Sequence, residues 1–371
     1  MKTKGAVLRE VGREWEVIEL ELDEPKDGEV LIRFVAASLC HSDEHLRHGD
    51  IVPRFPLVGG HEGAGIVEKV GPGVSRVKEG DHVVCAFIPS CGYCRWCSTG
   101  RQNLCDAGAD ILDGRLPSDG GYRFHAGGED FGGMCMLGTF AQWSVISEMS
   151  CVRVDEDLPL ETAVLVGCGV PTGWGSSVYA AGIEPGETVV IYGIGGIGAN
   201  AVQGAAHAGA MNIVAVDPLA NKREAAEDLG ATHSVATAEE AHALTQDLTR
   251  GVGADKAIVT VDIVNEQVVA AAVDAIRKGG TTVITGLADP NKLTVQLSGA
   301  GLTLYEKTVK GSLFGSGNPV ADIPKLLGMY QAGRLKLDEL ITKRYALDQI
   351  NEGYADLLEG RNIRGVIVHE H

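Results

Sequence analysis

The 371-residue sequence has no unbroken apolar run long enough to cross a bilayer. Its most apolar stretch, Thr188 to Ala206, is interrupted by Gly193, Gly195, Gly196 and Gly198. That texture suits a buried strand–turn–helix and not a membrane span. The opening residues, MKTKGAVLREVG, lack the apolar core of a secretory signal. A cytoplasmic chain with no membrane partner is therefore expected. A basic surplus is also missing: Lys and Arg number 32 against 50 Asp and Glu, for a formal net charge of −18. A chain this acidic repels polyphosphate at long range, which argues against nucleic acid as a partner. The acidic residues are spread along the chain with no acidic tail, so a well-hydrated surface is the simplest reading of them. No repeat of fixed solenoid period is visible. Full disulfide pairing is excluded by an odd count of 9 cysteines, and in a cytosolic setting metal binding is the better expectation.

What is present points to a globular chain of more than one core. The length favours two domains, and 44% hydrophobic with 22% charged residues is not the composition of a disordered chain. Glycine, at 50 residues of 371, exceeds its usual share of roughly 7% and implies tight turns and close backbone approaches. Residues 1–150 read as short strands and turns, with β-rich runs at Glu29 to Ala36, Gly65 to Val70 and Asp81 to Phe87. From Thr188 the pattern alternates. Strands are predicted at Thr188 to Gly193, Asn212 to Asp217, Lys256 to Asp262 and Thr281 to Gly286. Helices are predicted from Gly196 to Gly209, Glu239 to Arg250 and Asn265 to Arg277. Such alternation implies a parallel sheet covered on both faces. The final segment carries two helical stretches and ends in a strand, Val366 to His369.

Gly193-Ile194-Gly195-Gly196-Ile197-Gly198 fits G-x-G-x-x-G. The motif alone is weak, but here it follows a predicted strand and opens a predicted helix. Gly193 permits the tight turn, Gly195 lets the backbone approach a pyrophosphate at the helix N-terminus, and Gly198 allows close helix–strand packing. Asp217 ends the next strand. A carboxylate there can accept from both ribose hydroxyls and would repel a 2′-phosphate, so NAD is favoured over NADP. The bland alternative is a glycine-rich turn and a surface aspartate.

Cys91, Cys94, Cys97 and Cys105 form C-x2-C-x2-C-x7-C. Four thiolates on one tight loop close a tetrahedral shell, the pattern of a structural zinc. An iron–sulfur cluster is the main rival, although the last spacing differs from the bacterial ferredoxin run and no proline follows Cys105. Three further segments are dispersed: Cys40-His41-Ser42-Asp43, Gly60-His61-Glu62-Gly63 and Gly167-Cys168-Gly169. Taken singly each is weak, since a lone buried cysteine is usually a small core residue. Spacing alone does not join them.

Taken together, the segments LCHSDEH at 39–45, GGHEGAGIVEKVG at 59–71, CGYCRWCSTGRQNLC at 91–105, VGCGVPTGWGS at 166–176, YGIGGIGANAVQG at 192–204 and INEGYADLLEGRNIRGVIV at 350–368 resemble the zinc-dependent medium-chain alcohol dehydrogenase family. They run in family order over nearly the whole chain. The stretches ETAVLVGCGVPTGWGS at 161–176 and VITGLADPNKLTVQLSG at 283–299 look like its actinobacterial nicotinoprotein branch. Enzymes of that branch hold NAD tightly and pass its hydride to a second acceptor, such as the dye N,N-dimethyl-4-nitrosoaniline (NDMA).

The resemblance implies an α/β chain with a GroES-like β-rich catalytic domain at 1–170 and 313–371 and a Rossmann NAD-binding domain at 171–312, with the active site in the cleft between them. It implies two zinc ions per chain, the catalytic one on Cys40, His61 and Cys168. That Cys2His set is a known property of these enzymes, so it follows from the resemblance and not from the spacing. Asp43 would orient His61, and Glu62 would sit behind the metal. Ser42 and His45 would relay the proton, the plain alternative for His45 being a surface histidine. His41, Thr172, Lys222 and Arg364 would join Asp217 and the glycines on the cofactor side, with Thr172 near the nicotinamide and Arg364 at the pyrophosphate. Phe87 would line the substrate pocket. His41 is a departure, since many liver-type members carry arginine there, and an imidazole grips pyrophosphate differently from a guanidinium. The implied reaction is oxidation of a small alcohol to its aldehyde in a homo-oligomer, dimer or tetramer. Two rivals are a thiol-dependent formaldehyde dehydrogenase using glutathione or mycothiol adducts and a non-catalytic zinc- and nucleotide-binding protein. A nucleic-acid zinc finger is poorly supported by the charge.

Overall fold

A computed structural model describes residues 1–287 and 295–371. The stretch at 283–299 that carries part of the branch resemblance lies partly outside the described residues. The chain forms two compact units, one of Met1–Cys168 with Asn318–His371, the other of Gly169–Gly317. Among the described residues, no helix is long and apolar enough to cross a membrane.

The first unit is mostly β. Strands Lys2–Leu8, Glu16–Leu22, Phe124–Ala126, Glu129–Gly133 and Leu57–Val58 close into a small barrel. A second sheet runs in the order Cys151–Val154, His82–Cys85, Gly63–Val70, Glu29–Ser38, Arg364–Val368, Ile341–Tyr345, with Trp143–Ser147 also paired to Glu29–Ser38. Glu29–Ser38 is its buried centre, and Val30, Ile32 and Phe34 are fully buried in one apolar cluster with Val67, Val83 and Ile146. Two strands reach further than their apolar patterns suggest: Glu29–Ser38 runs past Ala36, and Gly63–Val70 starts before Gly65. The extra residues pair with one another, Ala37 opposite Gly63, and alanine and glycine give little hydrophobic signal.

The C-terminal strand pairs with Glu29–Ser38, Val366 opposite Ser38. His369 then turns inward and its Nε2 donates to the Thr139 carbonyl at 3.0 Å. Burial, aided by His371 and partly opposed by the Thr139 contact, pushes His369 down from 6.5 to about 4. The unfolded chain therefore binds a proton at His369 at a higher pH than the folded one. This histidine's contribution to stability is fully present above about pH 6.5 and is lost as pH falls towards 4, on the order of 3 kcal/mol in all. Urea unfolding at a series of pH values should show that slope. His369→Gln, which keeps a donor for the carbonyl but does not titrate, should flatten it; an equal slope in the variant would remove His369 as its source.

The second unit is a six-stranded sheet in the order His233–Val235, Asn212–Val216, Thr188–Tyr192, Ala254–Val259, Ile276–Ile284, Thr308–Gly311. All of its pairings are parallel. Numbered within the unit the order is 3-2-1-4-5-6, the doubly wound dinucleotide-binding arrangement. Thr188–Tyr192 is buried along its whole length, as a strand covered on both faces must be. Two local expectations need correcting. The helix predicted to Arg277 ends at Ala275, and the strand predicted from Thr281 already begins at Ile276. Ile276 pairs with Ala254 across a register shift, and the Arg277 guanidinium reaches Asp255, so pairing and charge override helical propensity there. A helical segment also runs from Gly169 through a π-turn to Ala181. Its glycines and Pro171 conceal it in the sequence, and close packing on the helix Gly196–Ala208 stabilises it: a Cβ on Gly173 would lie 2.0 Å from the Ile197 carbonyl oxygen.

Candidate metal centre and dinucleotide turn

Strand register assembles the first cluster. Cys40 follows the end of Glu29–Ser38, and His61 precedes the start of Gly63–Val70, with Ala37 opposite Gly63. Gly63 in turn faces Cys85, whose carbonyl oxygen lies 2.8 Å from where a Cβ on Gly167 would stand. Three segments far apart in sequence thus end at one point. One ligand atom from each of Cys40, His61, Glu62 and Cys168 lies within 4.8 Å of all the others, and all four residues are buried.

Each donor is fixed by its surroundings. Asp43 is fully buried; its Oδ1 accepts from the Gly60 amide at 2.8 Å and its Oδ2 lies 3.0 Å from His61 Nδ1. That second contact is close but not in line for a hydrogen bond. Gly60 must be glycine: its φ is +86°, and a Cβ would strike Phe140. With Nδ1 facing a carboxylate, His61 turns Nε2 into the cluster, where neither Nε2 nor Glu62 Oε1 has a hydrogen-bond partner among the described residues. Burial opposes protonation of His61, but Asp43 and Cys40 outweigh it and hold the imidazole well above its usual value. A hydrogen bond from Cys168, followed by the charge of His61, holds Cys40 well below the usual thiol range despite burial. The same bond, with burial, raises Cys168. Burial lifts Glu62 to about 7 against the opposing charge of Arg364. Buried nitrogen and oxygen donors without partners, beside two sulfurs, are what a zinc shell requires.

Arg364 is almost completely buried, and its Nη2 donates to Glu62 Oε2 and to Ser38 Oγ. Sequence reasoning missed the Glu62–Arg364 pair, and no spacing could have found it, because the two meet only through sheet pairing. Ser42 sits in the first turn of the helix His41–His48, with its Oγ 3.6 Å from Cys40 Sγ. His41 begins that helix and is half-buried. His45 is 5% exposed, not the surface histidine of the plain alternative, and its Nδ1 lies 2.9 Å from Asp50 Oδ2. Phe87 packs edge-on to the His61 ring at 5.8 Å. A small, partly open apolar recess is walled by Leu46, Leu57, Ile111, Met134 and Cys135 among others. Phe87 is not among its lining residues. Burial raises the Cys135 thiol to about 12, and His61, Asp43 and Cys40 are the charged groups acting on it, so this wall borders the cluster.

The second cluster is local. Cys91, Cys94, Cys97 and Cys105 bring their sulfurs within 4.8 Å of one another, with Cys91–Cys97 at 3.9 Å and Cys94–Cys105 at 4.0 Å. A tetrahedron with metal–sulfur bonds of about 2.3 Å has edges of about 3.8 Å. Backbone amides of Cys91, Cys94 and Cys97 donate to Cys105, Cys91 and Cys94 sulfurs. Amide donors lower Cys94 to about 6, while burial raises Cys105 to about 12.

In the second unit, Gly193 takes φ +89° and a Cβ there would meet Val261 at 2.9 Å; a Cβ on Gly198 would fall 1.9 Å from the Gly193 carbonyl oxygen. These two glycines form the turn itself. Gly195 differs: as N-cap of the helix Gly196–Ala208 it faces open space, which a side chain would occupy. Space in front of a helix N-terminus suits a pyrophosphate. Asp217 accepts from the Ile194 amide at 2.8 Å on Oδ2 and from the Leu219 amide at 2.9 Å on Oδ1. Lys222 is buried, and burial lowers it against the pull of Asp217. Thr172 is also buried, and its hydroxyl has no hydrogen-bond partner among the described residues.

Comparison with known proteins adds an independent line. Residues 26–156 match the alcohol dehydrogenase GroES-like domain, and 196–332 match the zinc-binding dehydrogenase domain. The chain is 66% identical over 369 residues to an NDMA-dependent alcohol dehydrogenase of Amycolatopsis methanolica, spanning 100% of this chain and 99% of that one. It is 48% identical over 368 residues to alcohol dehydrogenase B of Mycobacterium tuberculosis, spanning 99% and 98% of the two chains. Among solved structures it is similar to benzyl alcohol dehydrogenase of Acinetobacter calcoaceticus, with TM-score 0.92, 30% identity and full coverage of both chains.

Proposed function

Since the chain belongs to the zinc-dependent medium-chain alcohol dehydrogenase family, we propose that it oxidises alcohols to aldehydes with a catalytic zinc at Cys40, His61 and Cys168 and with NAD at the Gly193–Gly198 turn. NAD stays bound and is reoxidised in place by a second acceptor, and Cys91, Cys94, Cys97 and Cys105 hold a structural zinc. The observation that carries this reading is the buried convergence of Cys40, His61 and Cys168 beside the unpartnered Nε2 of His61. The NDMA dependence of the Amycolatopsis relative, as its name states, supports the second acceptor.

Bound at these sites, zinc would supply Lewis acidity toward an alcohol oxygen and NAD would supply the hydride acceptor. The chain's own groups do the rest. The Asp43 carboxylate, 3.0 Å from His61 Nδ1, favours the proton on that nitrogen by charge and leaves Nε2 as the ligand atom. Arg364 balances the Glu62 charge, so the carboxylate does not add to the two sulfurs. Ser42 Oγ, beside Cys40, takes the hydroxyl proton. His45 lies three residues on, on the same face of the helix. Its Nδ1 faces Asp50 Oδ2, and its imidazole is the next group along that face able to carry the proton. The apolar lining of the recess beside the cluster favours alcohols with hydrocarbon substituents.

The test is the mass and absorbance of material released when the purified protein is denatured. Stoichiometric NAD, together with alcohol-dependent bleaching of the nitrosoaniline dye without added cofactor, is the expected result. A cofactor-free enzyme that needs added NAD would overturn the retention part of the proposal.

A further inference from the structure

We propose that the Tyr354 hydroxyl is a positioning group for the Cys40–His61–Cys168 centre, donating to Asp43 Oδ2 and so fixing the carboxylate that orients His61. The inference rests on the metal reading above.

The geometry converges from three sides. Tyr354 lies on the helix Ile350–Leu358, 2% exposed, its ring stacked on Trp15 at 5.9 Å and edge-on to Phe140 at 6.3 Å. Phe140 presses against Gly60, whose amide holds Asp43 Oδ1. Leu46, one turn beyond Asp43 on the same helix face, shares an apolar cluster with Tyr354, and the neighbouring Gly353 abuts Leu39, next to Cys40. The phenol is thus pinned in the wall behind Asp43.

Among the described residues, the buried polar atoms of that wall without an in-line hydrogen-bond partner include Trp15 Nε1 and the pair that matters here, the Tyr354 hydroxyl and Asp43 Oδ2. One is a donor and the other an acceptor with two lone pairs, of which His61 Nδ1 addresses one. Burying a hydroxyl without a partner is unfavourable, and phenylalanine would fill the same apolar space. Burial and then the charges of Asp43, Cys40 and Glu44 hold the phenol well above its usual value, so it stays neutral and able to donate. A carboxylate held at both oxygens keeps His61 in one orientation; with Oδ2 free on that side, the imidazole can swing.

The experiment is zinc release from the full-length, zinc-loaded protein into a colorimetric chelator. The phase missing from a Cys168→Ala protein identifies this centre, and the four-cysteine loop is the internal reference. Tyr354→Phe should speed that phase by about tenfold or more and leave the reference phase and the thermal midpoint unchanged. Asp43→Asn should also speed it, and the double variant should be no faster than Asp43→Asn alone. A Tyr354→Phe phase equal to wild type, or effects that multiply in full, overturns the inference and leaves the metal reading standing. A wild-type protein without that phase overturns both.

Discussion

Replacing Cys168 with alanine is expected to remove one of two zinc ions per chain and to lower kcat/KM for alcohols by on the order of 10³ or more. The cluster contains two sulfurs and one imidazole nitrogen besides Glu62 Oε1, and that oxygen's carboxylate is already engaged by Arg364. Without Cys168 the remaining set has one thiolate, and the bond that holds Cys40 low is gone. The four-cysteine loop is independent of the change, since all of its ligands lie between 91 and 105. Metal analysis by atomic emission, paired with alcohol oxidation by the same preparation, reads both effects. Full zinc content with undiminished turnover would sink the assignment of Cys168.

Replacing Arg123 with alanine should destabilise the first unit by roughly 3–5 kcal/mol. Arg123 and Glu29 are both almost completely buried, joined through Nε at 2.9 Å and through Nη2. Glu29 Oε2 also accepts from the Lys26 amide, Ser118 Oγ contacts Oε1, and Arg123 Nη2 reaches Asp119 at 2.8 Å. Removing the guanidinium strands a carboxylate away from water, which costs far more than losing a surface pair. Changing Glu29 and Arg123 together to leucine should recover most of the loss, because neither charge is then left alone. Urea unfolding of the two variants separates the cases; equal destabilisation by both would mean that packing, not charge, dominates.

Legibility from sequence followed the distance over which each feature is encoded. The four cysteines of 91–105 and the glycines of 193–198 are local, so the spacing of the first and the strand and helix flanking the second pointed to a clustered thiol loop and a strand–turn–helix. The cluster of Cys40, His61 and Cys168 is not local. It forms where the register Ala37–Gly63 and Gly63–Cys85 brings strand ends together, and only a family resemblance joined its parts in advance. The helix after Cys168 was hidden because Gly169, Pro171, Gly173 and Gly175 are poor helix formers; contact with a neighbouring helix, absent from any local window, stabilises it. The Glu62–Arg364 and Glu29–Arg123 pairs were invisible for the same reason, since charge partners in a β unit are chosen by sheet order.

Asp217 carries a consequence for anyone wishing to redesign coenzyme choice. Each of its oxygens already receives a main-chain amide, one from within the glycine turn and one from the residue two places on. In the proposed function the group that would repel a 2′-phosphate is therefore also a strut of the glycine turn. Swapping it for a small apolar residue would release both amides and slacken the loop. A successful conversion must find an acceptor for each amide before any new cation is added to greet the phosphate; asparagine or serine offers one oxygen and leaves the second amide to be met from elsewhere.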